Sequence, residues 1–258
     1  MNGSIRIVGI GPGDPRLMTE AARDAIRASD LIVGYTAYVE LVRGLCAGKE
    51  TFTSSMMEEA ARADYAIEAA RSGKEVAVVA SGDACVYGLG GLVLERLGGH
   101  GGSSAGHGIA IDIIPGITAA NAAAALLGAP LMNDYLVLSL SDLLTDAELI
   151  RKRLRAAAEG DLVVALYNPR SATRTGLIRE ARSILLERRP SSCPVGIVRN
   201  AYREGQRVLV TTLGELEGHY EEIDMFSVVI VGNGATFRLG NLMVSPRGYQ
   251  SREAGRES

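Results

Sequence analysis

The stretch IVGIGPGDPRLMT, residues 7–19, places a short apolar run ahead of three glycines at alternate positions. Such a run is typical of a buried strand, and the glycines predict a tight turn at its end. Thr19 precedes the helix-forming sequence EAARDAIRAS, so it is the predicted N-cap of a helix over residues 19–29. The segment therefore predicts a strand, a glycine-rich turn and a helix, which is the first unit of an α/β fold.

Strand and helix patterns alternate along the rest of the chain, and the second half repeats the rhythm of the first. The predicted strands cover residues 4–10, 31–35, 75–80, 109–114, 135–140, 161–167, 194–200 and 226–233, with an added, possibly antiparallel strand at 206–212. Further helices are predicted at residues 57–73, 146–158 and 173–186, and from near Thr118. This alternation predicts a mostly parallel sheet with helices on its faces.

The expected domains are residues 1–128 and 129–249, because the alanine-rich helix pattern ends near residues 126–134. By composition, the glycine- and serine-rich residues 98–108 predict a flexible surface loop, and residues 250–258 predict a disordered tail. His100 and His107 lie in that loop without a third ligand, so we expect no metal site.

Composition narrows the class of protein. The 258 residues are 47% hydrophobic but contain no continuous apolar run of membrane-spanning length, and no signal-peptide pattern opens the sequence. The net charge of −3 gives no reason to expect a nucleic-acid partner. Three widely spaced cysteines, Cys46, Cys85 and Cys193, predict reduced thiols in a cytoplasmic protein.

The glycine-rich turn does not match a dinucleotide-binding loop. That fingerprint is G-x-G-x-x-G, whereas Gly9, Gly11 and Gly13 form G-x-G-x-G with Pro12 inside. Pro12 also removes an N–H that a phosphate cradle would use. From this loop alone, a tight turn with a purely structural role after the first strand stays an alternative to a binding loop.

Three other predicted strands also end in loops of small and polar residues. Their sequences are SGDACVYG at residues 81–88, PGITA at 115–119 and LYNPRS at 166–171. Ligands of open α/β sheets bind at the carboxyl ends of strands, so these loops are candidate binding segments.

The order GIGPGD, SGD, PGITA and LYNP resembles the tetrapyrrole methylases, which use S-adenosylmethionine (SAM). The segments SLSDLLT, LYNPRS and GIVRNA resemble a subgroup of that family, and the likeness covers about residues 5–249. It implies two α/β domains with an active-site cleft between them, and a homodimer. The implied reaction is SAM-dependent methylation at C17 of precorrin-3B or cobalt-factor III with ring contraction, yielding S-adenosylhomocysteine (SAH).

The resemblance also implies roles for individual residues. The implied cofactor-binding residues are Pro12, Gly82, Asp83, Val86, Thr118, Ala119, Tyr167, Asn168, Asn200 and Ala201. The candidate catalytic residues are Tyr35, Asn133, Asp134 and Ser141, with Ser139 and Asp142 as further polar candidates. Arg170, Arg174, Arg199 and Arg238 are candidate partners for the substrate's carboxylate arms.

Two positions depart from the family pattern. Asn133 stands where a histidine is expected, and Cys85 where a glycine is expected. Asparagine does not titrate, and the phenol of Tyr35 is a weak base at neutral pH, so the general base stays open. Two other functions therefore stay open as well: methylation of another target by the same fold, and non-catalytic binding of SAM or a tetrapyrrole.

Overall fold

A computed structural model describes residues 3–55, 57–98 and 108–249. The chain divides into two compact units, Met1–Ala119 and Ala120–Ser258. The sequence-based boundary after residue 128 stays a prediction. The predicted tail at 250–258 and the central part of the glycine-rich loop, with His100 and His107, lie outside the described residues.

The first unit is built on a five-stranded sheet in which every described pair of neighbours is parallel. Its strand order is β3-β2-β4-β1-β5, with β1 (Ser4–Gly9), β2 (Leu31–Tyr35), β3 (Glu50–Ser54), β4 (Glu75–Ala80) and β5 (Ala110–Ile114). The helices are α1 (Glu20–Arg27), α2 (Thr36–Leu41), α3 (Glu59–Arg71) and α4 (Gly90–Gly98). Parallel neighbours need long crossovers, which these helical segments supply.

The sequence-based elements of the first unit are largely confirmed. β2 and β4 have the predicted bounds, and the Thr19 side chain accepts the Ala22 N–H at 3.1 Å as the N-cap of α1. The sequence patterns did not predict β3, α2 or α4. β3 is an edge strand whose side chains are largely exposed, so it lacks the apolar run that marks the buried strands.

The second unit contains two sheets. The larger has the order β10-β9-β11-β8-β7, with β7 (Tyr135–Ser139), β8 (Val163–Tyr167), β9 (Pro194–Arg199), β10 (Arg207–Thr212) and β11 (Ser227–Val231). The smaller joins β6 (Gly128–Ala129), β12 (Phe237–Leu239) and β13 (Leu242–Val244). The helices are α5 (Ala119–Leu127), which begins at the last residue of the first unit, α6 (Ala147–Glu159) and α7 (Gly176–Leu186).

The expectation of a mostly parallel sheet is wrong for the second unit. Among the described pairs of the large sheet, β7 and β8 are parallel and the other three are antiparallel; the short β6 and β13 of the smaller sheet are also parallel. β11 lies between β8 and β9 and runs opposite to both. A short loop joins β9 to β10 and enforces an antiparallel pairing, which the sequence predicted only as a possibility for residues 206–212.

Within the described ranges, no helix has both the length and the apolar character needed to cross a bilayer.

A buried cation and a buried thiol lie together in the second unit. Arg189 is 4% exposed and donates to the carbonyls of Gly232, at 2.8 Å, and of Leu162. Burial lowers the pKa of the Arg189 guanidinium. Cys193 is 3% exposed, and burial raises its pKa to about 11. Its sulfur lies 3.2 Å from the Gly232 carbonyl oxygen, so both side chains contact the segment that follows β11.

Cys193 should make unfolding depend on pH in the alkaline range. The folded state keeps the thiol protonated up to a pKa of about 11, whereas the unfolded chain loses that proton near the ordinary value of 9.0. The thiol's stabilising contribution, about 2–3 kcal/mol, is therefore complete below pH 9 and lost as the pH rises towards 11. Urea unfolding at pH 8 and pH 10.5 should show a smaller loss of stability for Cys193→Ala than for the original chain. Equal losses would contradict this assignment.

Candidate functional site

Three loops meet at the carboxyl edge of the first sheet. They follow β1, β4 and β5, which are adjacent in the order β4-β1-β5. Because parallel strands all end at one edge, residues 10–14, 81–86 and 115–118 are brought side by side. The sequence predicted that each loop is a binding segment, and the sheet order explains how three loops distant in sequence become neighbours.

Backbone contacts hold these loops together. The Gly11 N–H donates to the Gly82 carbonyl at 3.0 Å, and the Gly82 N–H donates to the Gly11 carbonyl at 2.8 Å. Both glycines have left-handed φ angles, +74° and +70°. A Cβ on Gly116 would lie 2.1 Å from the Gly82 carbonyl oxygen, so the loop after β5 approaches too closely for any side chain. This role of Gly116 could not be predicted from sequence, because a Pro-Gly pair indicates a turn but not which distant segment packs against it.

Asp83 links two of the loops through its carboxylate. One oxygen accepts the Cys85 N–H at 2.8 Å, and the other accepts the Gly116 N–H at 3.1 Å. The first bond shapes the turn after β4, and the second ties that turn to the loop after β5. Its carboxylate therefore organises the edge of the sheet, while direct contact with a cofactor stays a prediction.

The remaining candidates of the first unit lie at the same edge. Pro12 is buried, whereas Val86, Thr118 and Ala119 are partly exposed. Tyr35 ends β2, and its ring packs edge-on against Tyr38 with centroids 5.1 Å apart. β4 lies between β2 and β1 in the sheet, so Tyr35 is set to one side of Pro12 along the edge.

In the second unit, polar groups gather where β7 and β8 end. The hydroxyl oxygen of Ser139 accepts the Asn168 side-chain amide at 3.0 Å and the Ser141 N–H at 3.2 Å. The Tyr167 hydroxyl accepts the N–H of Ala120, in the first turn of α5, at 2.7 Å. Ser139, Ser141 and Asn168 therefore form one hydrogen-bonded group, and Tyr167 adjoins it as the register partner of Ser139.

Asn200 and Ala201 follow β9, which β11 separates from β8. The Asn200 N–H donates to the Phe226 carbonyl, just before β11, at 3.0 Å. Asn168 and Asn200 both adopt left-handed φ angles, +48° and +49°. Such conformations are uncommon outside glycine, and asparagine tolerates them better than most residues.

Asn133 and Asp134 lie at the opposite end of β7 from Ser141. They precede the strand, and Asp134 lies five residues before Ser139, a span of roughly 16 Å at about 3.3 Å per residue. Both side chains are exposed, and the Asn133 side-chain oxygen accepts the Asp134 N–H at 2.9 Å. The second unit thus does not gather all the catalytic candidates in one group, and their roles stay predictions.

Most of the candidate arginines already have partners within the protein. Arg170 forms a two-point ion pair with Glu221, at 2.7 and 2.8 Å, and Arg199 pairs with Asp224 at 2.7 Å. Arg174 donates to the Leu140 carbonyl at 3.3 Å, whereas Arg238 is exposed on β12. The described ranges contain no cluster of three or more histidine, cysteine or acidic side chains placed to hold a metal.

Comparison with known families tests the resemblance read from the motifs. The family model described as Tetrapyrrole (Corrin/Porphyrin) Methylases matches residues 4–217. The chain belongs to this family. The match confirms the resemblance, and it includes all three loops at the edge of the first sheet.

Named tetrapyrrole methylases are similar over nearly the whole chain. A "Probable cobalt-factor III C(17)-methyltransferase" of Salmonella typhimurium is 43% identical over 95% of this chain and 99% of its own length. A "Cobalt-factor III methyltransferase" of Priestia megaterium is 48% identical over 98% of this chain, which spans only 46% of that longer protein. The crystal structure of the methyltransferase CobJ superposes with a TM-score of 0.86 at 37% identity, covering 95% of this chain and 100% of that one.

Gly116→Ala should destabilise the first unit. Its Cβ would meet the Gly82 carbonyl and the Gly9 backbone, which cannot move without breaking the Gly11–Gly82 pair. Overpacking of this kind costs about 1–3 kcal/mol. Gly91→Ala is the matched control, because a Cβ there has no heavy atom within 4 Å and Gly91 lies in α4. Thermal unfolding should show a lower Tm for Gly116→Ala alone; equal Tm values would contradict the close approach.

Proposed function

We propose that the chain is a SAM-dependent methyltransferase that methylates C17 of precorrin-3B or cobalt-factor III, with ring contraction, in cobalamin biosynthesis. The observation that carries the proposal is the 43% identity to a relative named for this reaction, over 99% of that relative's length. The subgroup-like motifs SLSDLLT and LYNPRS are consistent with it, and Ser139, Ser141 and Asn168 from these motifs are hydrogen-bonded together at the ends of β7 and β8.

The charge of the first-unit loops fits SAM better than a phosphate-bearing cofactor. SAM carries a sulfonium and an ammonium, and residues 9–14, 81–88 and 115–119 contain two acids and no Lys, Arg or His. One of the acids, Asp14, is paired with Arg16 at 2.7 Å, and that bond lowers the pKa of its carboxyl group. Asp83 has its carboxylate on backbone N–H groups instead of a cation. These loops would therefore present a negatively charged, closely packed surface to a positively charged ligand.

The residues proposed to hold SAM come from the loops of both units. In the first unit they are Pro12, Gly82, Asp83, Val86, Thr118 and Ala119. In the second they are Tyr167, Asn168, Asn200 and Ala201. When bound, SAM would supply an electrophilic methyl group, and transfer to carbon needs an aligned nucleophile more than it needs acid–base help.

The protein's main contribution would be positioning and the exclusion of water. Holding two reactants in line contributes about 7–11 kcal/mol to lowering a barrier. Positioning of this kind requires loops that are held in place. In the first unit, close backbone contacts at the glycines and the bond between Asp83 and Gly116 would hold them. Ring contraction also requires a proton to leave an oxygen at C20. For that step we propose Tyr35 or Ser141 as the group that holds or polarises the oxygen, with Asn133 and Asp134 as the other candidates.

A homodimer and a cytoplasmic location, both expected from the sequence, stay part of the proposal. Size-exclusion chromatography with light scattering measures the first directly, since the chain mass is 27.2 kDa. A monomer at micromolar concentration would remove the dimer from the proposal without touching the reaction.

Incubation of the purified chain with cobalt-factor III or precorrin-3B and methyl-labelled SAM should transfer label to the tetrapyrrole. Mass spectrometry should show one added methyl group, and NMR should place it on C17. Label at another carbon would identify a different methylase of the same fold. Saturable SAH binding without turnover on either substrate would favour a non-catalytic binding protein.

Asp83→Ala should weaken SAH binding. Loss of the carboxylate removes two hydrogen bonds that shape the loops after β4 and β5. Since a hydrogen bond to a charged group contributes about 1.5–3 kcal/mol, calorimetry should show at least about tenfold weaker SAH binding. Asp64→Ala is the control, because Asp64 forms an exposed pair with Arg96 on the same unit. Equal SAH affinity in the two variants would exclude Asp83 from the binding edge.

A further inference from the structure

The end of β8 carries a strained residue with a defined support. Asn168 follows the last residue of β8 directly, and its φ angle is +48°. A non-glycine residue in this region of the backbone map costs free energy and persists where surrounding contacts hold it. Its side-chain amide nitrogen donates to the hydroxyl oxygen of Ser139 at 3.0 Å. This hydrogen bond therefore holds the Asn168 side chain against the end of β7.

Ser139 is itself held firmly. It is the last residue of β7 and pairs in register with Tyr167, the last residue of β8. The next residue, Leu140, donates its N–H to the Tyr167 carbonyl at 2.8 Å. The Ser139 hydroxyl oxygen also accepts the Ser141 N–H at 3.2 Å. The strand ladder and the turn after β7 together locate this oxygen.

In the structure the amide nitrogen of Asn168 is the end that faces Ser139. An asparagine side chain has a donor end and an acceptor end, and two orientations are available unless a partner selects one. Ser139 engages the nitrogen, so the oxygen of the Asn168 amide is directed elsewhere. In the described ranges, that oxygen has no hydrogen-bond partner. Asn168 is partly buried, so the oxygen is a fixed acceptor at the end of β8.

We propose that Ser139 is a positioning residue that fixes the Asn168 amide, so that its oxygen accepts a hydrogen bond from SAM. The inference rests on the proposed function, in which Asn168 belongs to the cofactor site. The ligand group would be a donor, an amino group or hydroxyl of the adenosine part or the ammonium of the methionine part. Ser139 would act through Asn168 and need not touch the cofactor.

The test is a double-mutant cycle on SAH affinity, measured by calorimetry on the full chain. Ser139→Ala should weaken SAH binding about three- to tenfold, as expected for loss of one orienting hydrogen bond. Asn168→Gly keeps a backbone that tolerates the left-handed conformation but removes the amide, and should weaken binding by about tenfold or more. Ser139→Ala combined with Asn168→Gly should bind SAH as Asn168→Gly alone does, because a residue that acts through another has no separate effect.

Two further variants separate orientation from general damage. Ser139→Thr keeps the hydroxyl and should restore affinity to within about twofold of the original chain. Ser183→Ala is the control for loss of a serine hydroxyl in the same unit, since that hydroxyl donates to the Arg179 carbonyl within α7 at 3.1 Å. It should leave SAH affinity unchanged. If Ser139→Ala fails to fold, Ser139→Cys takes its place, because a thiol is a poor acceptor of similar size.

The outcomes separate failure of the proposed function from failure of the role proposed for Ser139. If the original chain binds no SAH, the proposed function is overturned together with this inference. If the original chain binds SAH and Asn168→Gly weakens binding, but Ser139→Ala does not, only the role of Ser139 is overturned. Additive losses in the double variant would also overturn it, because Ser139 would then act independently of Asn168.

Discussion

The close approach of backbone segments at Gly9, Gly82 and Gly116 is the constraint on which the first unit's candidate site depends. Side chains on Gly9 or Gly116 would collide with backbone atoms of the neighbouring loop, so the loops after β1, β4 and β5 meet only because those positions lack a Cβ. The paired Gly11–Gly82 hydrogen bonds and the Asp83 carboxylate then hold the contact. The close backbone contacts and these hydrogen bonds fix the three loops relative to one another.

The second unit obtains a comparable result by different chemistry. The end of β8 uses a left-handed asparagine, which a serine hydroxyl on the neighbouring strand supports. The Tyr167 hydroxyl meanwhile satisfies an N–H in the first turn of α5, which would otherwise lack an intrahelical partner. Side-chain hydrogen bonds thus do here what glycine packing does in the first unit. Each of these contacts depends on one hydroxyl group, so removing that hydroxyl by a conservative substitution tests the contact directly.

Charge and the proline distinguish the glycine-rich turn of this chain from a phosphate-binding loop. The turn contains Pro12, which donates no N–H, and the neighbouring loops contain one acid, Asp83, and no Lys, Arg or His. An anion would meet no cationic side chain from these three loops, whereas a cation would meet the Asp83 carboxylate. The arginines that suggested carboxylate binding are largely occupied by Glu221 and Asp224. Recognition of the substrate's acidic arms by Arg170 or Arg199 would require these internal pairs to open.

The sequence by itself determined the local elements and the family. Apolar runs defined β2 and β4 to the residue, and side-chain chemistry identified Thr19 as an N-cap, because these features depend on neighbours only a few positions away. The motif order identified the tetrapyrrole methylases, as the family match confirms. Only the tertiary structure decided that β11 lies antiparallel between β8 and β9, that Gly116 packs against Gly82, and that Asn133 and Ser141 lie at opposite ends of β7. Those facts depend on which distant segments pair and in which direction, and a local pattern of apolar and polar residues carries no record of either.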